Sequence, residues 1–277
     1  MPTDRAVFVP LCVGYGARLL GKPPGWHRET ESFLACVKRE RALLRPGRWV
    51  PMGDLGWVGA AAAADPAPER VLGSAVGRAY RGALASLGGA ACPLLPGPWT
   101  VARQLPGDDL EARLDDAVLL LANLCRTLTD RNRDLFVWDD FLAGEAGPMT
   151  EGYGPVYRVL EHCNARAWFV VTGRGLEALE AYRHPRVAAV LFPELDVRAH
   201  GEVRDGDRRV GFGLPRGALQ ADDGTFDARG IAAAASRAAC FAPLVDACAV
   251  PENVVRLVDA LPAAATDEAR APSGGGT

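Results

Sequence analysis

The most informative part of this sequence is Leu94-Leu95-Pro96-Gly97-Pro98-Trp99-Thr100-Val101-Ala102-Arg103. An apolar run ends there in a Gly-Pro pair, and a helix-like segment follows. In parallel barrels a strand passes into its following loop in this way, and barrel enzymes carry their reactive side chains on such loops. The segment therefore predicts one strand-to-helix connection of an α/β fold.

Short apolar runs alternate with longer helix-like segments along the rest of the chain. The runs predicted as strands cover residues 7–13, 49–52, 92–95, 135–138, 167–171, 187–192, 209–212 and 244–247. The segments predicted as helices cover residues 30–44, 69–87, 110–129, 154–162, 176–182, 226–239 and 251–261. Strands separated by helices pair in parallel, because parallel neighbours need a crossover connection. About eight such units predict a closed (β/α)8 TIM barrel, and an open doubly wound sheet is the alternative.

The domain organisation follows from the same pattern. We predict one barrel over residues 1–265 and a polar, Gly-rich disordered tail over residues 266–277. The open sheet is the weaker alternative, because Val171-Thr172-Gly173-Arg174-Gly175 contains only a fragment of its usual glycine fingerprint.

The composition argues against several classes of protein. Apolar residues make up 49% of the chain and the net charge is -3, without a block of like charge, so a nucleic-acid partner is not expected. The seven cysteines lack CxxC spacing, which indicates reduced thiols in a cytoplasmic protein. Neither a signal peptide nor an uninterrupted apolar run of roughly 18 residues is recognisable, so no membrane partner is expected.

Several short motifs, taken in order, resemble the uroporphyrinogen decarboxylase superfamily. This group includes uroporphyrinogen decarboxylase, corrinoid-dependent methyltransferases and the catalytic half of cobalamin-independent methionine synthase. The motifs are Val9-Pro10-Leu11-Cys12, residues 15–21, Pro51-Met52-Gly53-Asp54-Leu55, Gly97-Pro98-Trp99-Thr100, Val137-Trp138-Asp139-Asp140, Val210-Gly211-Phe212-Gly213-Leu214 and residues 248–254. The resemblance implies a TIM barrel with its active site in the barrel mouth.

On the decarboxylase branch, the resemblance assigns catalytic roles to three aspartates. Asp54 would stabilise positive charge on the substrate, since carboxylate oxygens accept hydrogen bonds and offset a developing cation. Arg18 would hold a substrate carboxylate. Asp139 or Asp140 would assist proton transfer, and the alternating faces of a strand favour one of them in the mouth and the other turned away.

Aromatic residues at predicted strand ends complete the expected substrate pocket. Tyr15, Trp99, Trp138 and Phe192 are predicted to line an apolar surface above the barrel, beside Arg18. The substrate implied by the resemblance is a tetrapyrrole-like or other carboxylated small molecule.

The methyltransferase branch offers an alternative with zinc as a cofactor. Cys248 stands at the position of a zinc-binding cysteine in that branch, and Glu194 lies near the position of a zinc glutamate. The expected His-x-Cys pair is replaced by Val171-Thr172-Gly173, and Cys12 is the candidate substitute. A thiol-activating zinc needs three or four such ligands.

The main expectation is therefore metal-free decarboxylation, a carbon-carbon lyase reaction without a cofactor. The alternatives are methyl transfer to or from a corrinoid or thiol, and a relative that binds a ligand without catalysis. The resemblance also allows a homodimer, although no segment of the sequence identifies an interface.

Overall fold

The computed structural model describes residues 6–50, 56–88, 91–129, 133–142, 153–221 and 225–262. Its strands are β1 (Val7–Phe8), β2 (Leu11–Val13), β3 (Leu94–Pro96), β4 (Asp134–Asp140), β5 (Arg166–Thr172), β6 (Val187–Asp196), β7 (Arg209–Gly213), β8 (Cys240–Phe241) and β9 (Leu244–Asp246). Seven of them form one parallel sheet in the order β1-β8-β7-β6-β5-β4-β3, and β2 pairs in parallel with β9.

The two edges of this sheet meet through the segment around Trp49. The backbone N–H groups of Gly47 and Arg48 donate to the Phe8 carbonyl of β1, at 3.0 and 3.1 Å. On the other side, Trp49 forms a parallel bridge with Ala91, just before β3. This segment contains the described part of the predicted strand 49–52, and it joins the two edges of the sheet into a closed ring. The predicted (β/α)8 TIM barrel is confirmed, and the open-sheet alternative is wrong.

Helices surround the strands in the alternating order expected from the sequence. They are α1 (Tyr15–Leu19), α2 (Thr30–Leu44), α3 (Trp57–Ala64), α4 (Pro68–Gly73), α5 (Ala75–Leu87), α6 (Pro98–Ala102), α7 (Leu110–Leu128), α8 (Gly154–His162), α9 (Val197–His200), α10 (Ala228–Ala235) and α11 (Pro251–Ala260). Short 3-10 helices cover Trp26–Arg28 and Leu176–Tyr182.

One helix predicted as continuous is two helices. The segment 69–87 breaks at Ser74, which is extended and caps α5 by accepting a hydrogen bond from the Gly77 N–H at 3.1 Å. Serine favours this capping position because its side chain satisfies an otherwise unpaired helical N–H.

Alternation along the strands separates two apolar layers. In β4, Phe136 and Trp138 point into the barrel and pack with residues such as Leu94 and Val170. Leu135 and Val137 belong to the larger cluster between strands and helices. A period of two puts neighbouring residues on opposite faces, so residue parity decides which β4 side chains can reach the barrel interior.

The chain ends are only partly described. Residues 263–277, which include the predicted tail, lie outside the described residues. In the ranges given above, no helix combines the length and apolar character needed to cross a bilayer.

Candidate functional site at the barrel mouth

Polar side chains from successive strand ends gather at the carboxyl-terminal rim, the face that carries the active sites of TIM-barrel enzymes. A cavity of about 390 Å³ opens there between the ends of β6, β7 and β9. Glu194, Arg216, Gln220 and Asp246 contribute its polar lining. The mouth site is defined here as Asp140, Thr172, Glu194, Arg216 and Asp246.

Glu194 links three neighbouring strand ends. Its Oε1 accepts a hydrogen bond from Arg216 Nε in the loop after β7. Its Oε2 accepts the Gly173 N–H, after β5, at 3.3 Å. The carboxylate raises the pKa of Arg216, so the guanidinium stays charged. Because the Arg216 side chain is 75% exposed, it presents a positive charge to a molecule in the cavity.

Asp140 is an anchored carboxylate at the end of β4. Its Oδ1 accepts a hydrogen bond of 2.7 Å from the buried hydroxyl of Thr172, which itself accepts from Trp138 Nε1 at 3.0 Å. Arg103 Nη1 lies 3.7 Å from the other carboxylate oxygen. The Asp140 side chain remains 37% exposed, so it is oriented by its neighbours and still open to the mouth.

Asp139 lies on the other face of the same strand. It is 1% exposed and accepts hydrogen bonds from the hydroxyls of Tyr153 and Tyr182, at 2.5 and 2.6 Å. Burial raises the pKa of Asp139 to about 6, although the two hydrogen bonds act in the opposite direction. Of the two aspartates proposed for proton transfer, Asp140 alone faces the mouth, as the alternation of the strand predicts.

Asp246 and Cys248 lie at the last strand end. Asp246 Oδ2 accepts from Gln220 Nε2 at 2.8 Å, and its Oδ1 accepts the Cys248 N–H at 2.8 Å. The carboxylate therefore fixes the loop that carries the exposed Cys248.

Arg18 makes backbone contacts that the resemblance did not imply. Its Nη1 donates to the carbonyls of Ala247 and Ala249, at 2.6 and 2.8 Å. These two residues flank Cys248. Arg18 therefore holds the backbone of the Cys248 loop, a contact that has no signature in the sequence around Arg18.

The aromatic residues predicted to line the pocket are buried. Tyr15 is 0% exposed and Trp99 is 5% exposed, and both belong to the layer between strands and helices. Trp138 is 4% exposed inside the barrel, where it orients Thr172. Phe192 is also fully buried, in the layer between strands and helices. The prediction that Tyr15, Trp99 and Phe192 line the mouth is therefore wrong, because side chains in the outer layer cannot contact a ligand inside the barrel mouth.

The zinc ligands suggested from the sequence do not converge. Glu194 and Cys248 lie at the mouth, but Cys12 packs in the outer layer, where burial and the nearby Glu40 raise its pKa well above the ordinary value. In the part of the chain that the structure describes, no group of three or more His, Cys, Asp and Glu side chains is arranged to hold a metal. These residues do not fit a zinc centre.

Some residues of the site were missed, and one predicted residue is not described. Asp54, the central residue of the decarboxylase hypothesis, lies outside the described residues. Arg216 and Asp246 were missed, although each stands at or just after a predicted strand end, where a barrel places its reactive groups. Thr172 has no signal in the sequence beyond its place in the incomplete glycine fingerprint.

The fold and the rim define a (β/α)8 barrel with a candidate site at the carboxyl ends of its strands. A methyltransferase from Methanosarcina mazei has this fold: it is 13% identical, the match covers 94% of each chain, and the TM-score is 0.66. Comparison with protein-family models and with curated protein sequences gives no match. At 13% identity the likeness establishes a common fold, and function has to be argued from the site.

Proposed function

We propose that the protein is a small-molecule methyltransferase whose acceptor binds in the cavity of the mouth site. The observation that carries the proposal is the Glu194–Arg216 pair on the rim of this cavity, in a barrel that shares its fold with a methyltransferase. The family that the sequence resembles suggests a methylated corrinoid as the donor.

Arg216 would anchor the acceptor through an anionic group. Guanidinium groups bind carboxylates through two parallel hydrogen bonds. Within the described residues Arg216 donates from Nε to Glu194, which leaves its Nη atoms available for a ligand. Glu194 acts here as a positioning residue for Arg216.

Asp140 would accept the proton that the acceptor loses. The acceptor's lone pair forms the new bond to the methyl carbon, while the electron pair of the broken bond stays with the donor. The acceptor's proton passes to the Asp140 carboxylate and then to solvent. Asp140 suits this role because Thr172 holds one oxygen in place while the side chain remains open to the mouth.

Decarboxylation is the second candidate function. Arg216 is an exposed cation whose pKa is raised by its hydrogen bond to Glu194 and, to a smaller extent, by the charge of Asp140. This arrangement also suits a substrate carboxylate bound to Arg216 beside Asp140. Loss of carbon dioxide leaves the electron pair of the broken bond on carbon, and Asp140 would relay a proton from solvent to that carbon. The reaction differs from methyl transfer in its product, because it releases carbon dioxide.

The test compares two thiol acceptors with methylcobalamin as the donor. Mercaptoacetate carries a carboxylate and 2-mercaptoethanol does not, so Arg216 should favour methylation of mercaptoacetate by at least roughly tenfold, as expected for one charged hydrogen-bonded contact. Arg216→Met should abolish this preference, and Asp140→Asn should lower turnover with both thiols.

Arg237→Met is the matched control. This arginine pairs with Glu202 and precedes β8, at the opposite end of the barrel, so its loss should leave methyl transfer unchanged. Absence of methyl transfer to either thiol would reject the proposed reaction. Release of carbon dioxide from carboxylated porphyrinogens would then support the second candidate, and ligand binding without either product would indicate a non-catalytic protein.

A further inference from the structure

The exposed face of α7 is divided into two halves of opposite charge. Asp115 and Asp116 are exposed in its amino-terminal half, together with Glu111. Arg126 is exposed in its carboxyl-terminal half. Leu119 lies between the two halves and is 54% exposed, the most exposed large apolar side chain in the described part of the chain.

Helix α8 extends the basic half of α7 into a groove of about 310 Å³. The groove has an apolar floor and a basic rim, and no acidic side chain lines it. Its lining comes from Leu119, Ala122, Asn123 and Arg126 of α7 and from Pro155, Arg158, Val159 and His162 of α8.

The nearby charges of opposite sign do not cancel this pattern. Arg113, in the acidic half, is partly buried and donates to the Ala102 carbonyl. Glu161, beside the basic half, is not part of the groove lining, and its Oε1 is turned towards His184 Nε2, 3.6 Å away. In the described ranges, the side chains of Asp115, Asp116 and Arg126 make no hydrogen bond or ion pair.

A two-fold axis through Leu119 would bring unlike halves together. In an antiparallel pair of helices, a residue at a given number of positions before 119 faces one at the same number after it. With about 1.5 Å of rise per residue, the acidic cluster lies roughly 4–12 Å from the axis on one side and Arg126 lies roughly 10 Å away on the other. The long side chain of Arg126 spans the remaining distance to the acidic cluster of the other copy.

We infer that a second copy of this chain packs on α7 in an antiparallel arrangement, with the acidic half of each α7 in the groove of the other copy. Because the same patch serves both partners, the interface is self-complementary and the assembly closes at two copies. Leu119 and the apolar floor supply burial from water, while the charges set the orientation and speed association.

Light scattering coupled to gel filtration tests the inference with two charge-reversed variants. The first, Asp115→Arg with Asp116→Arg, makes the α7 face basic in both halves. The second, Arg126→Glu on α7 with Arg158→Glu on α8, makes the groove acidic like the amino-terminal half of α7. The unaltered protein should be a dimer that weakens at high salt, each variant alone should be a monomer, and an equimolar mixture should again form a dimer with one copy of each.

Crosslinking locates the axis independently. In a Cys248→Ser background, Leu119→Cys should be joined efficiently to its symmetry mate by a short bis-maleimide. Leu110→Cys, exposed at the start of the same helix, is the control and should remain largely uncrosslinked. Circular dichroism verifies that every variant is folded. A monomeric unaltered protein, or a dimer that neither charge reversal disturbs, would overturn the inference.

Discussion

The carboxylates of Asp139 and Asp140 are sequence neighbours that lie on opposite sides of β4. Asp139 is buried among helices and accepts hydrogen bonds from Tyr153 and Tyr182. Asp140 faces the barrel mouth and is held by Thr172. Two residues of the same type thus have separate roles, one in fixing the scaffold and one in the mouth site.

Replacement of these aspartates should affect stability very differently. Asp139→Ala leaves two buried phenol hydroxyls without an acceptor, at about 1–3 kcal/mol each. We expect a loss of roughly 2–5 kcal/mol in the free energy of unfolding, measured by urea denaturation. Asp140→Ala should cost less than about 1 kcal/mol, because Asp140 is partly exposed. Equal losses would contradict the assignment of Asp139 to the scaffold.

Glu40 should make stability decrease with increasing pH. It is 0% exposed, its Oε1 accepts the Gly16 N–H at 2.7 Å, and its Oε2 has no partner. Burial raises the pKa of Glu40 from 4.5 to about 8. The folded state therefore holds this proton more tightly than the unfolded state, so stability present below about pH 4.5 is lost as the pH rises towards 8.

Urea denaturation between pH 6 and pH 8 isolates this effect. The range lies above the pKa of about 6 for Asp139 and extends to the pKa of about 8 for Glu40. The unaltered protein should lose about 1.4 kcal/mol per pH unit over most of this range. Glu40→Gln keeps the acceptor for the Gly16 N–H and removes the titrating proton, so its stability should change little with pH. A slope in the variant equal to that of the unaltered protein would assign the pH dependence elsewhere.

Gly97 should tolerate no side chain, because a Cβ there would lie 1.8 Å from Asp139 Oδ1. Gly97→Ala forces the carboxylate away from its two tyrosines, and we expect the melting temperature to fall by roughly 5–10 °C. Gly73→Ala, at the end of α4, is the control, since a Cβ on Gly73 meets nothing within 4 Å. Its melting temperature should be unchanged or slightly raised, and a similar fall in both variants would exclude this contact as the cause.

We expect Cys248 to be the one cysteine whose thiol reacts rapidly in the native protein. All seven cysteines fall within the described residues, and Cys248 is the exposed one. A chromogenic disulfide reagent should therefore titrate one thiol rapidly, and Cys248→Ser should remove that phase. Arg18→Met releases the two flanking carbonyls and should speed the reaction several-fold, whereas Arg45→Met, at an exposed position just after α2 and beside Asp259, should not. Two or more fast thiols would contradict the assignment.

Several elements could be predicted from local pattern. The helices over residues 30–44 and 154–162 have the predicted bounds, because their apolar residues recur at helical spacing. Strand alternation also predicts that one of Asp139 and Asp140 faces the mouth and the other does not, but only the packing of β4 shows that Asp140 is the one in the mouth. Strand β8 was missed because its two residues are too few for a pattern and follow directly on a helix.

The roles of the arginines could not be predicted in this way. Arg18 and Arg216 both follow strands, yet one clamps a backbone loop and the other stands on the cavity rim. The partners of Arg18 lie 229 and 231 positions away along the chain. Such contacts depend on how the strand ends converge, which has no signature near the arginine itself.

The sequence by itself determined the class of fold, since alternating strand and helix periodicities are local properties of the chain and require parallel pairing. Closure of the ring through Trp49, burial of Tyr15 and Cys12 behind the strands, and the meeting of Glu194 with Arg216 were decided by the tertiary structure. The physical reason is that burial and charge pairing depend on distances in space, and a closed barrel brings together residues that are far apart along the chain.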